Sequence, residues 1–208
     1  MKRFLQELLK PTPKQAVTIV SGLPRSGTSM LMKMLEAGGI PPLTDQIRTA
    51  DGDNPKGYYE FERVKKLDEG DTAWLEEAQG KAVKVISALL KYLPQDYTYK
   101  MIFMRREIEE ILASQRKMLV HRGEPTDTVS DDRMKGLFIK HLAQAEAWMN
   151  EQPNIDVIYV SYNDILQDPV KQAKRINQFL GNTLDVEKMA GVVDQALYRQ
   201  RQDEISPQ

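Results

Sequence analysis

A short apolar segment, a glycine-containing turn and an amphipathic helix follow one another near the start of the sequence, and this succession limits the folds open to the chain. Residues 16–21 are rich in β-branched side chains and end at Gly22, which is typical of a buried strand. Residues 26–36 carry apolar side chains at three-and-four spacing, which predicts a helix. A buried strand that leads directly into a helix indicates an α/β domain with a parallel sheet.

Strands and helices alternate in the same way along the rest of the chain. Buried strands are predicted at residues 84–86, 99–104 and 156–161. Helices are predicted at residues 61–69, 107–121, 131–150, 169–180, 186–190 and 192–201. The helix at 131–150 is expected to bury a long apolar stripe that includes Met134, Leu137 and Met149. We therefore expect one domain over residues 1–208, a three-layer α/β/α fold whose central sheet is mainly parallel.

Three further segments are expected around this core. Residues 3–10 predict a short helix in an N-terminal extension (1–13), and the apolar face of that helix could support a homodimer. Residues 40–60 and 123–130 are polar loops. Because long loops in a compact domain usually carry function, we expect the acceptor side of a binding site there.

The composition excludes several classes of protein. Of 208 residues, 41% are hydrophobic, which is typical of a globular chain, and the formal net charge of −1 argues against a nucleic-acid partner. There is no cysteine, so disulfides, thiolate catalysis and cysteine-ligated zinc are excluded. No apolar run approaches the roughly 20 residues that span a bilayer. We expect a cytoplasmic protein with no membrane span.

The strongest chemical signal is the turn between the first strand and the first helix, Gly22-Leu-Pro-Arg-Ser-Gly-Thr-Ser29. Backbone N–H groups in such a turn, together with a helix N-terminus, favour an anion. Its spacing matches the nucleotide-triphosphate loop G-x-x-x-x-G-K-[ST], but Thr28 replaces the lysine. No strand ends in a carboxylate that would hold Mg²⁺, since the third strand runs into Arg105 and Arg106. The turn therefore predicts a phosphorylated nucleotide bound without a γ-phosphate or an obligatory metal.

Two motifs resemble the sulfotransferase family, whose donor is 3′-phosphoadenylyl sulfate (PAPS). Pro24-Arg-Ser-Gly-Thr-Ser29 is similar to the family's 5′-phosphosulfate loop. Arg106 at the end of a strand and Ser114 eight residues later are similar to its 3′-phosphate motif. Residues 161–181 are similar to the strand, loop and helix that follow, so the resemblance covers residues 16–181 and implies a P-loop-like fold.

The resemblance also implies roles for these residues. The phosphosulfate would be held by the turn, that is by Arg25, Ser26, Gly27, Thr28 and Ser29. Arg25 would lie beside the bridging oxygen and stabilise its developing charge, since arginine cannot act as a proton donor. Arg106 and Ser114 would bind the 3′-phosphate, leaving 3′-phosphoadenosine 5′-phosphate (PAP) as the product. No metal ion would be needed.

The general base is expected to be acidic. Family members use a histidine or a glutamate, but His121 and His141 do not follow the turn where the family places its base, and His141 has the pattern of a satisfied core residue. We predict Glu60 as the first candidate and Asp45 as the second. Glu60 could instead favour a helix N-terminus through the helix dipole. Lys84 is expected to be solvated or ion-paired.

Several alternatives stay open at this stage. The chain could be a small-molecule kinase with a degenerate phosphate loop, or a nucleotide-binding protein without catalysis. Its acceptor could be a small molecule such as a phenol, a sugar or glycan, a lipid, or a peptide tyrosine. Arg105 could bind the donor or form a surface ion pair, and Tyr198, Arg199 and Arg201 could cover the nucleotide.

Overall fold

Four parallel strands form the centre of the protein. A computed structural model describes residues 15–45, 59–126 and 128–194. The strands are β1 (Val17–Gly22), β2 (Ala82–Lys84), β3 (Tyr99–Arg105) and β4 (Ile155–Ser161). Their order in the sheet is β2-β1-β3-β4, and every neighbouring pair is parallel. The α/β fold with a parallel sheet is thereby confirmed.

Helices connect the strands on both sides of the sheet. They are α1 (Thr28–Gly38), α2 (Leu75–Ala78), α3 (Ile108–Arg122), α4 (Asp131–Glu151), α5 (Tyr162–Gln167), α6 (Pro169–Phe179) and α7 (Val186–Gly191). Two further segments are 3₁₀ helices, Glu62–Glu69 and Ser87–Tyr92. Among the described residues, no helix combines the length and the apolar character needed to cross a membrane.

Some predicted boundaries need correction. The second strand lies at Ala82–Lys84 rather than at 84–86, because the chain turns into a 3₁₀ helix at Ser87. The short helix α5 was not predicted, and residues 192–194 are not helical. The predicted helix at 3–10, most of the 40–60 loop and the Tyr198–Arg201 segment lie outside the described residues.

The two faces of the sheet carry separate apolar clusters. Ile19 and Phe103 belong to one cluster, whereas Val20 and Ile102 belong to the other. Adjacent strand residues point to opposite faces, so a strand buried on both sides reads as a continuous apolar run. Trp74 and Met149 cover the first face, and helix residues that cover the second include Leu31, Ile165 and Ile176. The expected three layers follow from this division.

Helix α4 departs from its predicted packing. Its only buried residues are Ala145 and Met149, while Leu137 and Ile139 are 52% and 51% exposed. The physical reason is length, because a 21-residue helix is about 30 Å long and exceeds a seven-residue strand of about 23 Å. The C-terminal half of α4 therefore packs on the sheet, and much of the predicted stripe does not.

The strand register brings the carboxyl ends of all four strands to one edge. Gly22 at the end of β1 lies beside Met104 of β3, and Arg105 lies beside Ser161 of β4. Val85, just after β2, donates its N–H to the carbonyl of Val20. The segments that follow all four strands therefore meet at the carboxyl edge of the sheet, where α/β proteins bind ligands.

The close approach of Gly27 to Tyr162 generates a first prediction. Gly27 has φ 101°, and a Cβ built on it would lie 2.3 Å from Cδ2 of Tyr162. We expect Gly27→Ala to lower the free energy of unfolding by about 2 kcal/mol or more, because left-handed backbone strain adds to the overlap. Urea denaturation of the purified variant measures this loss.

Gly136 provides the matched control. It lies inside α4, and a Cβ at this position meets nothing within 4 Å. We expect Gly136→Ala to raise the free energy of unfolding by about 0.5–1 kcal/mol, since alanine restricts the unfolded chain. Equal effects of the two substitutions would show that the turn does not depend on the close approach to Tyr162.

Candidate functional site

The turn between β1 and α1 has a backbone shape that favours an anion. Arg25 and Gly27 both have positive φ, 69° and 101°, and the N–H of Ser26 donates to the carbonyl of Leu23. A Cβ at Gly22 would lie 2.6 Å from Oγ of Ser26, so the turn closes only around glycine. Helix α1 begins at Thr28, so its N-terminus, where helix N–H groups point outwards, lies at the end of the turn. This N-terminus and the helix dipole make the turn suited to a negative ligand.

Two serine hydroxyls are buried at the base of this turn. Ser21 and Ser26 are both 0% exposed, and among the described residues neither Oγ has a hydrogen-bond partner. A buried hydroxyl without a partner costs about 1–3 kcal/mol. The turn therefore holds polar atoms whose burial is uncompensated within the described protein, which is consistent with a polar ligand or water at this place.

Arg106 connects the turn to the rest of the site. Its side chain is 7% exposed, and Nε donates to Oε2 of Glu110 at 2.8 Å. Nη1 donates to the carbonyl oxygen of Arg25 at 3.1 Å. The guanidinium carbon lies 4.2 Å from the ring centroid of Tyr162, a cation–π contact. The strand-end arginine therefore contacts the turn, helix α3 and helix α5.

The side chain of Arg25 reaches the second half of the same site. Nε of Arg25 donates to Oγ of Ser114, which is buried on α3, at 3.0 Å. Burial raises the pKa of the Tyr162 phenol, while the charges of Arg106 and Arg25 act in the opposite direction. The structure thus brings together Arg25, Arg106 and Ser114, which the two sequence motifs predicted. The two arginines are cations close to the ring of Tyr162.

The remaining predicted donor residues occupy the start of α1. Thr28 and Ser29 are the first two residues of the helix, and both are half-buried. Arg105 forms an ion pair with Glu146 of α4 at 2.6 Å. Its guanidinium also lies 4.2 Å from the ring centroid of Tyr159. Arg105 therefore has the ion-pair arrangement that was one of its two expected roles.

Both predicted bases lie next to the carboxyl end of β2. Oε1 of Glu60 is 3.7 Å from Nζ of Lys84, and both side chains are largely buried. Lys84 pairs with Val20 in the sheet, two residues before Gly22, so the ion pair lies beside the turn. The backbone carbonyl of Glu60 accepts a hydrogen bond from the hydroxyl of Thr44 at 2.8 Å. These contacts fix the Glu60 segment at the edge of the sheet.

Asp45 has a different arrangement. Its Oδ2 accepts a hydrogen bond from the N–H of Glu62 at 2.6 Å, at the first residue of the 3₁₀ helix. A carboxylate there satisfies an N–H that the helix leaves without an acceptor. The function of Asp45 as a base stays a prediction, and the structure gives it a contact that anchors the loop.

His141 reaches the same edge from α4, which the sequence did not indicate. Its Nε2 lies 2.8 Å from Oγ of Ser87, the residue that begins the 3₁₀ helix after β2. Burial lowers the pKa of His141, and the Lys91 cation lowers it further. The histidine is satisfied, as expected, but by a hydroxyl at the sheet edge rather than inside the apolar core.

A cavity of about 560 Å³ opens between α3, α4 and the ends of β1, β3 and β4. Ion pairs cross it from α4, Glu146 to Arg105 and Lys135 to Glu109. Ser26 and Leu142 lie on its walls. Its size is typical of small-molecule sites. In the three described ranges, no group of three or more histidine or acidic side chains is arranged to hold a metal ion.

Comparison with known proteins agrees with this geometry. A family model described as "Sulfotransferase domain" matches residues 15–204. No curated protein matches the chain significantly. Among solved structures, the mouse sulfotransferase SULT7A1, solved as a complex with PAP, is 19% identical with a TM-score of 0.51. That comparison covers 92% of this chain and 66% of the mouse protein, so the chain spans slightly less than two thirds of its length.

Two bacterial structures are similar in the same way. The sulfotransferase domain of the Synechococcus olefin synthase is 15% identical with a TM-score of 0.52, over 94% of this chain and 85% of that one. The sulfotransferase STF1 of Mycobacterium tuberculosis is 12% identical with a TM-score of 0.52, over 95% and 78%. At these identities the solved structures show a shared fold.

The environment of His141 generates a second prediction. Because burial and Lys91 both disfavour the charged imidazole, we expect His141 to titrate below its ordinary pKa of 6.5, and Lys91→Gln to raise the midpoint. The pKa of His141 is lower in the folded than in the unfolded protein. The contribution of the neutral ring to the free energy of unfolding is therefore complete above the pKa of the unfolded state and is lost as the pH falls below it. Proton NMR of the ring resonances follows the titration.

The chain has two histidines, so the assignment is simple. The His121→Gln variant leaves the His141 resonances as the only histidine signals. An unchanged His141 midpoint in Lys91→Gln would show that the lysine charge does not act on the ring.

Proposed function

The chain belongs to the sulfotransferase family, and we propose that it transfers a sulfuryl group from PAPS to a hydroxyl or amine of a small-molecule, glycan or lipid acceptor. The observation that supports this most is the meeting of Arg25, Arg106 and Ser114 at one sheet edge. These residues come from segments 81 and 89 positions apart. A turn that only joined a strand to a helix would not need two partly buried guanidinium contacts.

The residues present fit a donor with two anionic groups. At one end is the turn, which contains Gly22, Gly27 and the uncompensated hydroxyl of Ser26 and leads into the N-terminus of α1. We propose that residues 25–29 hold the 5′-phosphosulfate there. At the other end, Arg106 and Ser114 would bind the 3′-phosphate, and PAP would remain after transfer.

Arg25 is proposed to stabilise the charge that develops during transfer. The bound donor supplies an activated sulfuryl group whose S–O bond breaks. Arg25 is a permanent cation, so it acts electrostatically and not as a proton donor. In the structure its Nε donates a hydrogen bond to Oγ of Ser114. We propose that this hydrogen bond is replaced by one to the leaving oxygen during transfer. A cation that gains contact only then favours the transition state over the ground state.

Glu60 is proposed to take the proton of the acceptor. Its ion pair with Lys84 holds the carboxylate beside the turn, where an acceptor has to approach the sulfuryl group. Asp45 is the second proposed base, and its bond to the N–H of Glu62 orients it. We propose that transfer needs no metal ion, because β3 ends in Arg105 rather than in a carboxylate. The absence of cysteine suits our proposal of a cytoplasmic location.

Selective binding of PAP is the third prediction and tests the donor site. We expect PAP at about 100 times its Kd to stabilise the protein by about 2.7 kcal/mol. Adenosine 5′-monophosphate, which lacks the 3′-phosphate, and ATP with Mg²⁺ should stabilise it less. Arg106→Ala should remove the PAP effect, while Arg122→Ala, at the exposed C-terminal end of α3, should keep it. Differential scanning fluorimetry measures each shift in Tm.

Two outcomes contradict the proposal. No PAP shift in the unaltered protein would exclude the donor site, and a larger shift with ATP and Mg²⁺ would favour a kinase. Loss of the PAP effect in Arg122→Ala would show that the Arg106→Ala result reflects general charge.

The general base is the subject of the fourth prediction. We expect Glu60→Gln to lower kcat by about 10²–10⁴-fold with PAP binding retained, because the amide cannot accept the proton. The assay measures PAP release with EDTA present, using an acceptor found in a panel of phenols, sugars and lipid alcohols. Glu62→Gln is the matched control, because Glu62 lies two residues away and its side chain forms a solvent-exposed ion pair with Lys65.

His141→Gln tests whether the histidine at this edge of the sheet acts as the base in place of Glu60. If Glu60 is the base, His141→Gln should keep most of kcat. Intact turnover in Glu60→Gln, with loss in His141→Gln, would transfer the role to the histidine. Loss of turnover on adding EDTA to the unaltered enzyme would refute metal independence.

A further inference from the structure

A fully buried carboxylate lies directly behind the proposed 3′-phosphate site. Glu110, in the first turn of α3, is 0% exposed. Its Oε2 accepts from Nε of Arg106 at 2.8 Å, and its Oε1 accepts from Nδ2 of Asn163 at 3.1 Å. Both carboxylate oxygens therefore have a donor, one from the end of β3 and one from α5.

We infer that Glu110, held by Asn163, is a positioning residue that orients Arg106 and thereby gives the site its preference for nucleotides with a 3′-phosphate. This inference rests on the proposed function. Neither residue belongs to the two sequence motifs, and neither is expected to touch the donor.

The contacts of Arg106 define its orientation. Glu110 holds the Nε edge of the guanidinium, and the carbonyl of Arg25 accepts from Nη1. The ring of Tyr162 supports one face at 4.2 Å. Two contacts in the plane and one on the face restrict the rotation of the side chain. Without Glu110, the planar group could turn about its last bonds while keeping its charge.

The same short helix supports both the guanidinium and its counter-charge. Tyr162 and Asn163 are successive residues at the start of α5, directly after β4. The first packs on Arg106, and the second donates to Glu110. One short helix therefore contacts both members of the ion pair.

Stability alone does not explain this pair. A buried ion pair is often no more stabilising than apolar side chains of the same volume, since both charges lose their hydration. What a carboxylate adds is direction, because it fixes which edge of the guanidinium is occupied. Arginine binds phosphate in a defined planar geometry, so the orientation of Arg106 affects ligand choice.

The fifth prediction concerns substitutions that exchange the hydrogen-bond donor and acceptor between positions 110 and 163. Glu110→Gln keeps the size of the side chain but removes the negative charge that holds Nε of Arg106, and its amide NH₂ faces the NH₂ of Asn163 as that side chain stands in the structure. Adding Asn163→Asp restores a complementary pair, in which the new amide at position 110 turns its oxygen towards Arg106 and its NH₂ towards the new carboxylate. The net charge of the site is then unchanged.

The measured quantity is the ratio of two dissociation constants, that for adenosine 5′-monophosphate over that for PAP, by isothermal titration calorimetry. We expect Glu110→Gln to lower this ratio by about tenfold or more, as expected for one misplaced charged hydrogen bond. The Glu110→Gln/Asn163→Asp variant should recover most of it. Glu109→Gln changes the adjacent carboxylate, which pairs with Lys135, and should leave the ratio unchanged.

The ratio separates positioning from general damage to the fold. If Glu110→Gln raises both constants equally, Glu110 is structural and the inference is overturned. If the ratio stays as in the unaltered protein, or the double variant shows no recovery, the inference is likewise overturned. If the unaltered protein itself does not distinguish the two nucleotides, the proposed donor site fails first and the inference with it.

Discussion

The guanidinium of Arg106 holds together three parts of the chain that are distant in sequence. It bonds to the turn at Arg25, to Glu110 on α3 and, through its face, to Tyr162 on α5. The parallel register makes this possible, since it places the ends of β1, β3 and β4 at one edge. The sheet determines where the segments meet, and one buried cation determines how they are oriented.

A cation with so little exposure needs compensation nearby. Breaking a buried pair by removing one partner costs about 3–5 kcal/mol, because the other charge stays without its counter-ion. Glu110 provides that counter-charge, and Asn163 satisfies the carboxylate in turn. The pair is close to neutral as a unit, so attraction of an anionic ligand also depends on Arg25 and on the N-terminus of α1. We regard the site as a set of coupled groups rather than one charged residue.

The sequence predicted those parts of the protein whose signal is local. The strand, turn and helix around Gly22 could be identified because the apolar run, the glycines and the helical spacing follow one another within a short segment. Arg106 and Ser114 followed from a motif of fixed spacing. Glu110 carried no such signal, because a glutamate in a first helical turn usually faces solvent, and its burial depends on Asn163, 53 positions away. The same limit applies to His141, whose partner Ser87 is 54 positions away.

The error in α4 has a related physical origin. Helical spacing shows which face of a helix is apolar, but not how much of its length another element covers. Leu137 lies on the predicted stripe and is exposed, because α4 extends beyond the strands on which its C-terminal half packs. Lys135 lies in the exposed part and pairs with Glu109 of α3, whereas Glu146 lies in the C-terminal half and pairs with Arg105 at the end of β3.

The contacts between the two phosphate motifs have a consequence for how the site works. Arg25 bonds to Ser114 through its side chain, while its carbonyl accepts from Arg106. The residue proposed to stabilise the leaving oxygen is therefore held at two points by the residues proposed to bind the 3′-phosphate. A ligand that engages Ser114 competes for the side-chain bond but leaves the backbone bond in place. Residues that share partners in this way do not act additively. The sites proposed for the 5′ and 3′ ends of the nucleotide therefore form one connected structure.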